Sequence, residues 1–197
     1  MTDQPAEQPR REERTAKKHH HKGKSSESLV DPAAILEALR ILPGQTILDA
    51  GCGDGYMARA FATAVGSAGV VYALDPDEEA IATLEAQAEP GNLSAMVGDI
   101  TARTPLEDAS VDLAYLSTVV HGFAPDQMRG FGDEMVRILK PGARLAIVEI
   151  DKQDTPFGPP MNIRFSPEEL RRQIPLAASA LVRAGEHFYM QVFEKPA

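Results

Sequence analysis

Apolar residues along the chain alternate between two kinds of pattern. Short, mainly apolar runs occupy 46–50, 70–74, 93–97, 111–116 and 144–150, the second of them continuous, and each is followed by Gly, Asp or Ser. Runs of that length between turn residues predict strands buried on both faces. Between them the spacing is helical. Ile35, Leu36, Leu39 and Leu42 give one apolar face, opened by Asp31 as N-cap and Pro32 in the first turn, with Val30 placed to staple onto Ile35 and Pro43-Gly44 as the stop. Alanine-rich 56–65, closed by Gly66-Ser67, is a second helix, and 77–88 a third, with Ala80, Ile81 and Leu84 inward before a Pro90-Gly91-Asn92 turn. A fourth helix over 125–139 carries Met128, Phe131, Met135 and Ile138 on one face and stops at Lys140-Pro141-Gly142.

Strands alternating with helices at this spacing, with a loop between the third and fourth strands, predict parallel βαβ units and an α/β fold, a Rossmann-like doubly wound open sheet. The final third is less regular. Prolines 156, 159 and 160 make 151–164 an irregular loop, Ser166-Pro167-Glu168-Glu169 starts a short helix, and Pro175 ends it. The alanines of 176–182 suit a helix, whereas Gly185 and alternating Phe188, Met190 and Val192 suit a closing β-hairpin, which is the reading adopted.

Segment 1–28 breaks the pattern, being nearly free of apolar residues, and is expected to be a polar, basic tail preceding a single domain over 29–197. His19, His20 and His21 lie in it, but adjacent histidines cannot all face one metal and no Cys or acid cluster completes a set, so no metal site is expected. The 197-residue chain has a formal charge of −9, and since 1–28 holds seven Lys/Arg against five Asp/Glu, the remainder carries −11. That acidity argues against nucleic acid and favours a small-molecule partner, a cationic one if the net charge governs. The polar N-terminus lacks a secretory h-region, no apolar run is long enough for a membrane span, and the single cysteine, Cys52, suits a reducing compartment, so a cytoplasmic location is expected.

Candidate chemistry gathers beyond the carboxyl ends of the strands, where open α/β sheets bind ligands. Asp49 precedes three alternate glycines, Gly51, Gly53 and Gly55, with Cys52 among them and Tyr56 opening the next helix. Glycines permit positive φ and close approach to the backbone, and the helix start offers N–H groups to an anion. Asp75, followed by Pro76, stands at the second strand end, where a carboxylate can accept both hydroxyls of a ribose; Gly98-Asp99-Ile100 at the third can meet an adenine amino group and ring face. Together they describe an adenosine pocket. The glycines are not spaced G-x-G-x-x-G, and an acid before them opposes a pyrophosphate but suits the ammonium of S-adenosylmethionine. Nucleotide hydride chemistry is the weaker alternative, since Tyr-x-x-x-Lys is missing, and no G-x-x-x-x-G-K-[ST] occurs for nucleoside triphosphates. Ser117 and His121 follow the fourth strand; the histidine is the candidate general base. Tyr56, Phe123, Phe157 and Met161 are candidate pocket walls.

These residues resemble the class I S-adenosylmethionine-dependent methyltransferases, of the small-molecule type that includes the quinone C-methyltransferases. The resemblance is carried by Leu42-Pro43-Gly44, by Leu48-Asp49-Ala50-Gly51-Cys52-Gly53-Asp54-Gly55-Tyr56 and by Leu139-Lys140-Pro141-Gly142-Ala143-Arg144-Leu145. It implies a seven-stranded sheet with an antiparallel last strand, S-adenosylmethionine as cofactor with contacts at Gly51, Gly53, Asp75 and Asp99, and a small-molecule methyl acceptor. Leu116-Ser117-Thr118-Val119-Val120-His121-Gly122 replaces the Asn/Asp-Pro-Pro-Tyr of DNA and protein amino-methyltransferases, and one cysteine is too few for the arsenite methyltransferases. A non-catalytic nucleoside-binding module, in which the basic tail recruits a partner, is the second reading, ahead of nicotinamide chemistry.

Overall fold

A computed structural model of the chain describes residues 29–87 and 91–197. Helix α1 (Pro32–Leu39) is followed by β1 (Thr46–Ala50), α2 (Tyr56–Val65), β2 (Val70–Asp75), α3 (Glu78–Gln87) and β3 (Leu93–Val97). Strand β4 (Val111–Ser117), α4 (Pro125–Ile138), β5 (Leu139–Ile150), α5 (Pro167–Gln173), β6 (Ala177–Gly185) and β7 (Phe188–Glu194) complete the order. The strands form one seven-stranded sheet in the order β3-β2-β1-β4-β5-β7-β6. The first five are parallel to their neighbours, and β7 runs antiparallel to both β5 and β6. The expected doubly wound sheet and closing hairpin are both present. The order reverses between β1 and β4, so the crevice at their carboxyl ends is where this topology binds ligands.

Each face of the sheet is covered by helices whose apolar stripes match it. Ile35 and Leu39 of α1, Phe61 and Val65 of α2, and Leu84 of α3 pack on one side with Ile47, Val71, Leu113 and Tyr115. Met128, Phe131, Met135 and Ile138 of α4 and Leu170 of α5 pack on the other with Leu48, Leu116, Leu145 and Phe193. Phe61 meets Tyr115 edge-on at a ring separation of 5.1 Å, joining α2 to the centre of the sheet.

Several boundaries move from the sequence reading, three of them for a visible reason. Helix α1 stops at Leu39 because Arg40 turns left-handed (φ 44°), and Leu42, expected on its apolar face, is 62% exposed. Strand β5 begins at Leu139 rather than 144. The Pro141-Gly142 stop bulges out of the ladder, the register jumping from Val111↔Leu139 to Leu113↔Arg144, while Gly142 N donates to Lys195 O. Helix α3 starts at Glu78 because Asp77 serves as its cap, its Oδ1 accepting from Glu79 N at 2.9 Å. Ala88 and Pro90 of the expected helix end and turn, and the 1–28 tail with its histidines, lie outside the described residues.

Candidate active site

The glycine turn takes its shape from contacts with the next strand. Gly51 (φ 73°) donates its N–H to Leu74 O at 2.7 Å, and a Cβ there would stand 2.4 Å from Val119 Cγ2. Gly55 (φ 80°) caps α2 and leaves no room for a Cβ, since Leu84 Cδ1 lies 2.4 Å from its position. Gly53 (φ 53°) differs: nothing lies within 4 Å of where its Cβ would be. Two of the three glycines are therefore required by packing, and the third faces open space beside Asp75.

Asp75 is held by the turn that it shapes. Its Oδ2 accepts from Gly53 N and its Oδ1 from Asp77 N, both at 2.9 Å, which fixes the carboxylate at the end of β2 with lone pairs to spare. Pro76 beside it is exposed. Gly98 hydrogen-bonds Asp75 O at 3.0 Å and leaves no room for a Cβ beside Leu74. Asp99 is exposed and forms a local turn, its Oδ1 accepting from both Thr101 N and Thr101 Oγ1, while Ile100 is buried against the core.

Beneath the turn, Asp49 is only 3% exposed. Burial pushes its carboxyl up to about 7, opposed by the Ala58 N–H of α2 and reinforced by the charge of Asp75. Asp49 sits opposite Tyr115 in the β1–β4 register. Asp49 Oδ2, the Tyr115 hydroxyl and the Ser117 hydroxyl are all buried without a hydrogen-bonding partner among the described residues. Buried polar atoms in that state are ready for a ligand or ordered water. Burial also pushes the Cys52 thiol far above its ordinary range, with Asp49 and Asp75 adding to the shift. Cys52 is a neutral, half-buried member of the turn and no nucleophile.

The second half of the site hangs from β4 and β5. Thr118 has φ 57°, rare for a β-branched residue, and its N–H donates to Val148 O at 2.8 Å. That reversal lays Val119 over Gly51 and starts the one-turn 3₁₀ helix Val120–Gly122. His121 is thereby brought to Glu149 on β5: its Nδ1 lies 3.0 and 3.1 Å from the two carboxylate oxygens, and its backbone N–H donates to Oε1 at 3.3 Å. Glu149 is fully buried. A carboxylate can only accept, so it selects the tautomer with hydrogen on Nδ1 and leaves Nε2 as the basic nitrogen.

His121 lines a cavity of about 530 Å³, bounded also by Phe123, Ile163 and Phe165, with Arg172 among its polar residues. The far wall is loop 151–164. Arg164, 6% exposed, ties that loop to itself, its guanidinium donating to the carbonyls of Asp151, Gln153, Phe157 and Pro159 and to Thr155 Oγ1 at 2.8–3.0 Å. Tyr189 fixes the next segment by donating to Phe165 O at 2.7 Å. Of the expected pocket walls, Phe123 lines this cavity. Phe157 is committed to packing, 6.2 Å from Phe188 and 5.5 Å from His187 between ring centres, and Tyr56 and Met161 are exposed.

The sequence reading missed Glu149, Arg164 and Arg172. Glu149 had a signal: it is the one acid inside the apolar run Ile147-Val148-Glu149-Ile150. The two arginines had none, since nothing local separates a clamp or a cavity residue from a surface arginine.

A family model described as "Methyltransferase domain" matches residues 47–142. The chain is 37% identical over 123 residues to an O-methyltransferase of Pyrenophora dematioidea, covering 61% of this chain and 45% of that protein. It is 34% identical over 131 residues to an arsenite methyltransferase of Halobacterium salinarum, covering 65% of this chain and 32% of that protein. The chain thus spans less than half the length of either relative. Among solved structures, a SAM-dependent methyltransferase from Aquifex aeolicus superposes with a TM-score of 0.76 at 24% identity, over 87% of this chain and 93% of that one, and shares the fold. Residues 47–142 are a methyltransferase domain of the class I S-adenosylmethionine-dependent kind. S-adenosylmethionine is the cofactor which that family uses, and the nicotinamide alternative is set aside.

Proposed function

We propose that the protein transfers the methyl group of S-adenosylmethionine to an oxygen of a small-molecule acceptor seated beside His121, with His121 as general base. The observation that carries this reading is the His121–Glu149 pair: a buried carboxylate holds Nδ1 while the ring lines a cavity, two residues along the chain from Val119, which packs on Gly51. The O-methyltransferase among its relatives supports the same acceptor atom.

The residues fit the cofactor. Asp75, with both oxygens already oriented, would take the ribose hydroxyls, and Gly53 leaves the space above them. The unpartnered Asp49 Oδ2 and Ser117 hydroxyl, with Gly51, Cys52, Gly55 and Tyr56 around the turn, suit the methionyl end. Pro76, Gly98 and Asp99 would border the base, with Ile100 buried behind them. When bound, the cofactor supplies a methyl group on a positively charged sulfur, an already activated leaving group. What the chain adds is alignment, worth ~7–11 kcal/mol of barrier in well-oriented systems. It also provides a place for the acceptor's proton: as the oxygen forms its bond to carbon, the hydroxyl proton passes to His121 Nε2, and Glu149 stabilises the resulting imidazolium. The single cysteine, neutral and inside the turn, gives no thiolate set for arsenite.

The test is a methylation assay over phenols, aliphatic alcohols, amines and thiols, with S-adenosylhomocysteine binding measured in parallel. Methylated oxygen is expected, and His121→Asn should lower kcat by ~100-fold or more with S-adenosylhomocysteine affinity unchanged. Product methylated only at carbon, nitrogen or sulfur, or a His121 variant with full kcat, overturns the reading. Cofactor binding without methyl consumption would favour a regulatory module instead.

A further inference from the structure

The charges around the acceptor cavity oppose those of the molecule. Segment 29–197 carries −11, yet the charged residues lining the cavity, apart from His121, are Lys152, Arg164 and Arg172 against Glu169 alone, an excess of two positive charges. They are not equivalent. Glu169 and Lys152 cancel, with Lys152 Nζ 2.6 and 2.8 Å from the two carboxylate oxygens. The same carboxylate accepts from Ser166 N at 2.8 Å to cap α5, so it is occupied twice over. Lys152 and the Ser166 N–H hold it below the usual carboxylate range, charged and committed.

The two arginines have no such partner. Arg164 spends its donors on carbonyls and one hydroxyl, which satisfy its hydrogens but not its charge. Among the described residues no carboxylate forms an ion pair with Arg172, and Glu168 and Glu169 act with it only through space. Two further acids are near and both are engaged: Glu149 lies behind His121 and is bound to it, and Asp151 is paired with Arg183 at 2.9 Å. A cavity wall with a buried cation, a free guanidinium at its edge and no available carboxylate attracts an anion.

We propose that the acceptor is an acid, a hydroxyl-bearing carboxylate whose anionic end binds Arg172 while its hydroxyl reaches His121. This deepens the oxygen-methyltransferase reading and rests on it. It reverses the expectation of a cationic partner drawn from net charge, because the field inside a cleft is set by the groups that line it. Arg172 is here a specificity residue: planar, permanently charged, and able to take a carboxylate with two hydrogen bonds. Asn162 and Gln173, which also line the cavity, supply neutral donors.

The experiment separates charge recognition from chemistry. Benzoate and benzamide, matched in shape and differing in charge, are titrated into the protein saturated with S-adenosylhomocysteine. Benzoate should bind at least tenfold more tightly, the preference shrinking as salt is added. In Arg172→Gln the preference should fall below threefold, with S-adenosylhomocysteine affinity unaltered. Equal affinities in the native protein, a preference that survives Arg172→Gln, or no binding of either compound overturns the proposal. The corresponding para-hydroxy pair is then assayed for methyl transfer. Binding preference without methylated oxygen on any acceptor leaves the charge recognition standing and sinks the oxygen-methyltransferase reading; turnover of the amide equal to that of the acid sinks the acid proposal alone.

Discussion

The two halves of the proposed site are built in opposite ways. The cofactor half is local: Asp49, the three glycines and the start of α2 fall within eight residues, with Asp75 at the next strand end. The acceptor half joins distant positions. His121 meets Glu149 across 28 residues of sequence, and the cavity closes only when loop 151–164 and α5 arrive. The first is held by backbone geometry that few side chains tolerate, the second by side-chain pairs and one buried guanidinium. A shared cofactor with differing acceptors needs this division, since one half can change without disturbing the other. The halves touch at Gly51, on which Val119 rests.

If the division is real, the largest effect should be confined to one side. Asp75→Ala removes the proposed ribose acceptor and frees Gly53 N and Asp77 N, so S-adenosylhomocysteine affinity should fall ~100-fold or more by calorimetry. Acceptor-side variants should leave that affinity alone; a comparable loss in Arg172→Gln would erase the distinction. Next, Arg164→Met withdraws donors from five oxygens and should cost roughly 3 kcal/mol in denaturant unfolding, with proteolytic cleavage appearing within 151–164 and acceptor KM rising. Unchanged cleavage would show that the loop does not depend on its clamp.

The contact between the halves gives a smaller, sharper test. Gly51→Ala places a Cβ against Val119 Cγ2 at positive φ and should destabilise by about 1–3 kcal/mol. Val119→Ala should recover part of that loss, giving a coupling energy above ~0.5 kcal/mol in a double-mutant cycle. Strict additivity would mean that the halves do not communicate there.

The smallest effect is a pH dependence confined to the cofactor half. The folded Asp49 holds its proton up to about 7, whereas the unfolded carboxyl releases it near 3.8. The folded state therefore binds the extra proton over that window, and stability without cofactor falls as pH rises through it, levelling off above about 7. Between pH 6 and pH 8 the Asp49 share is about 1.4 kcal/mol, measurable as the difference in pH slope between native protein and Asp49→Asn. A bound ammonium favours the charged carboxylate, so S-adenosylhomocysteine affinity should rise over the same interval and be flat in the variant. Parallel slopes in the two proteins would remove Asp49 from the cofactor site.

The chain's apolar runs determined the fold, and its glycine turn pointed to the proposed cofactor half, because both depend on residues close in sequence: strand and helix periods, positive φ at Gly51 and Gly55, and carboxylates at successive strand ends. Even the hairpin at 188–194 was legible, since alternating Phe188, Met190 and Val192 overrode the helical preference of the preceding alanines. Tertiary structure alone decided the acceptor half. Nothing around Thr118 announces the left-handed turn that aims His121 at Glu149, and Arg164 and Arg172 read as surface arginines until the loop folds around the first and leaves the second without a carboxylate. Net charge, a property of the whole sequence, pointed to a cation; the cavity's own charges point to an anion, because at a few ångströms the nearest groups outweigh the distant sum.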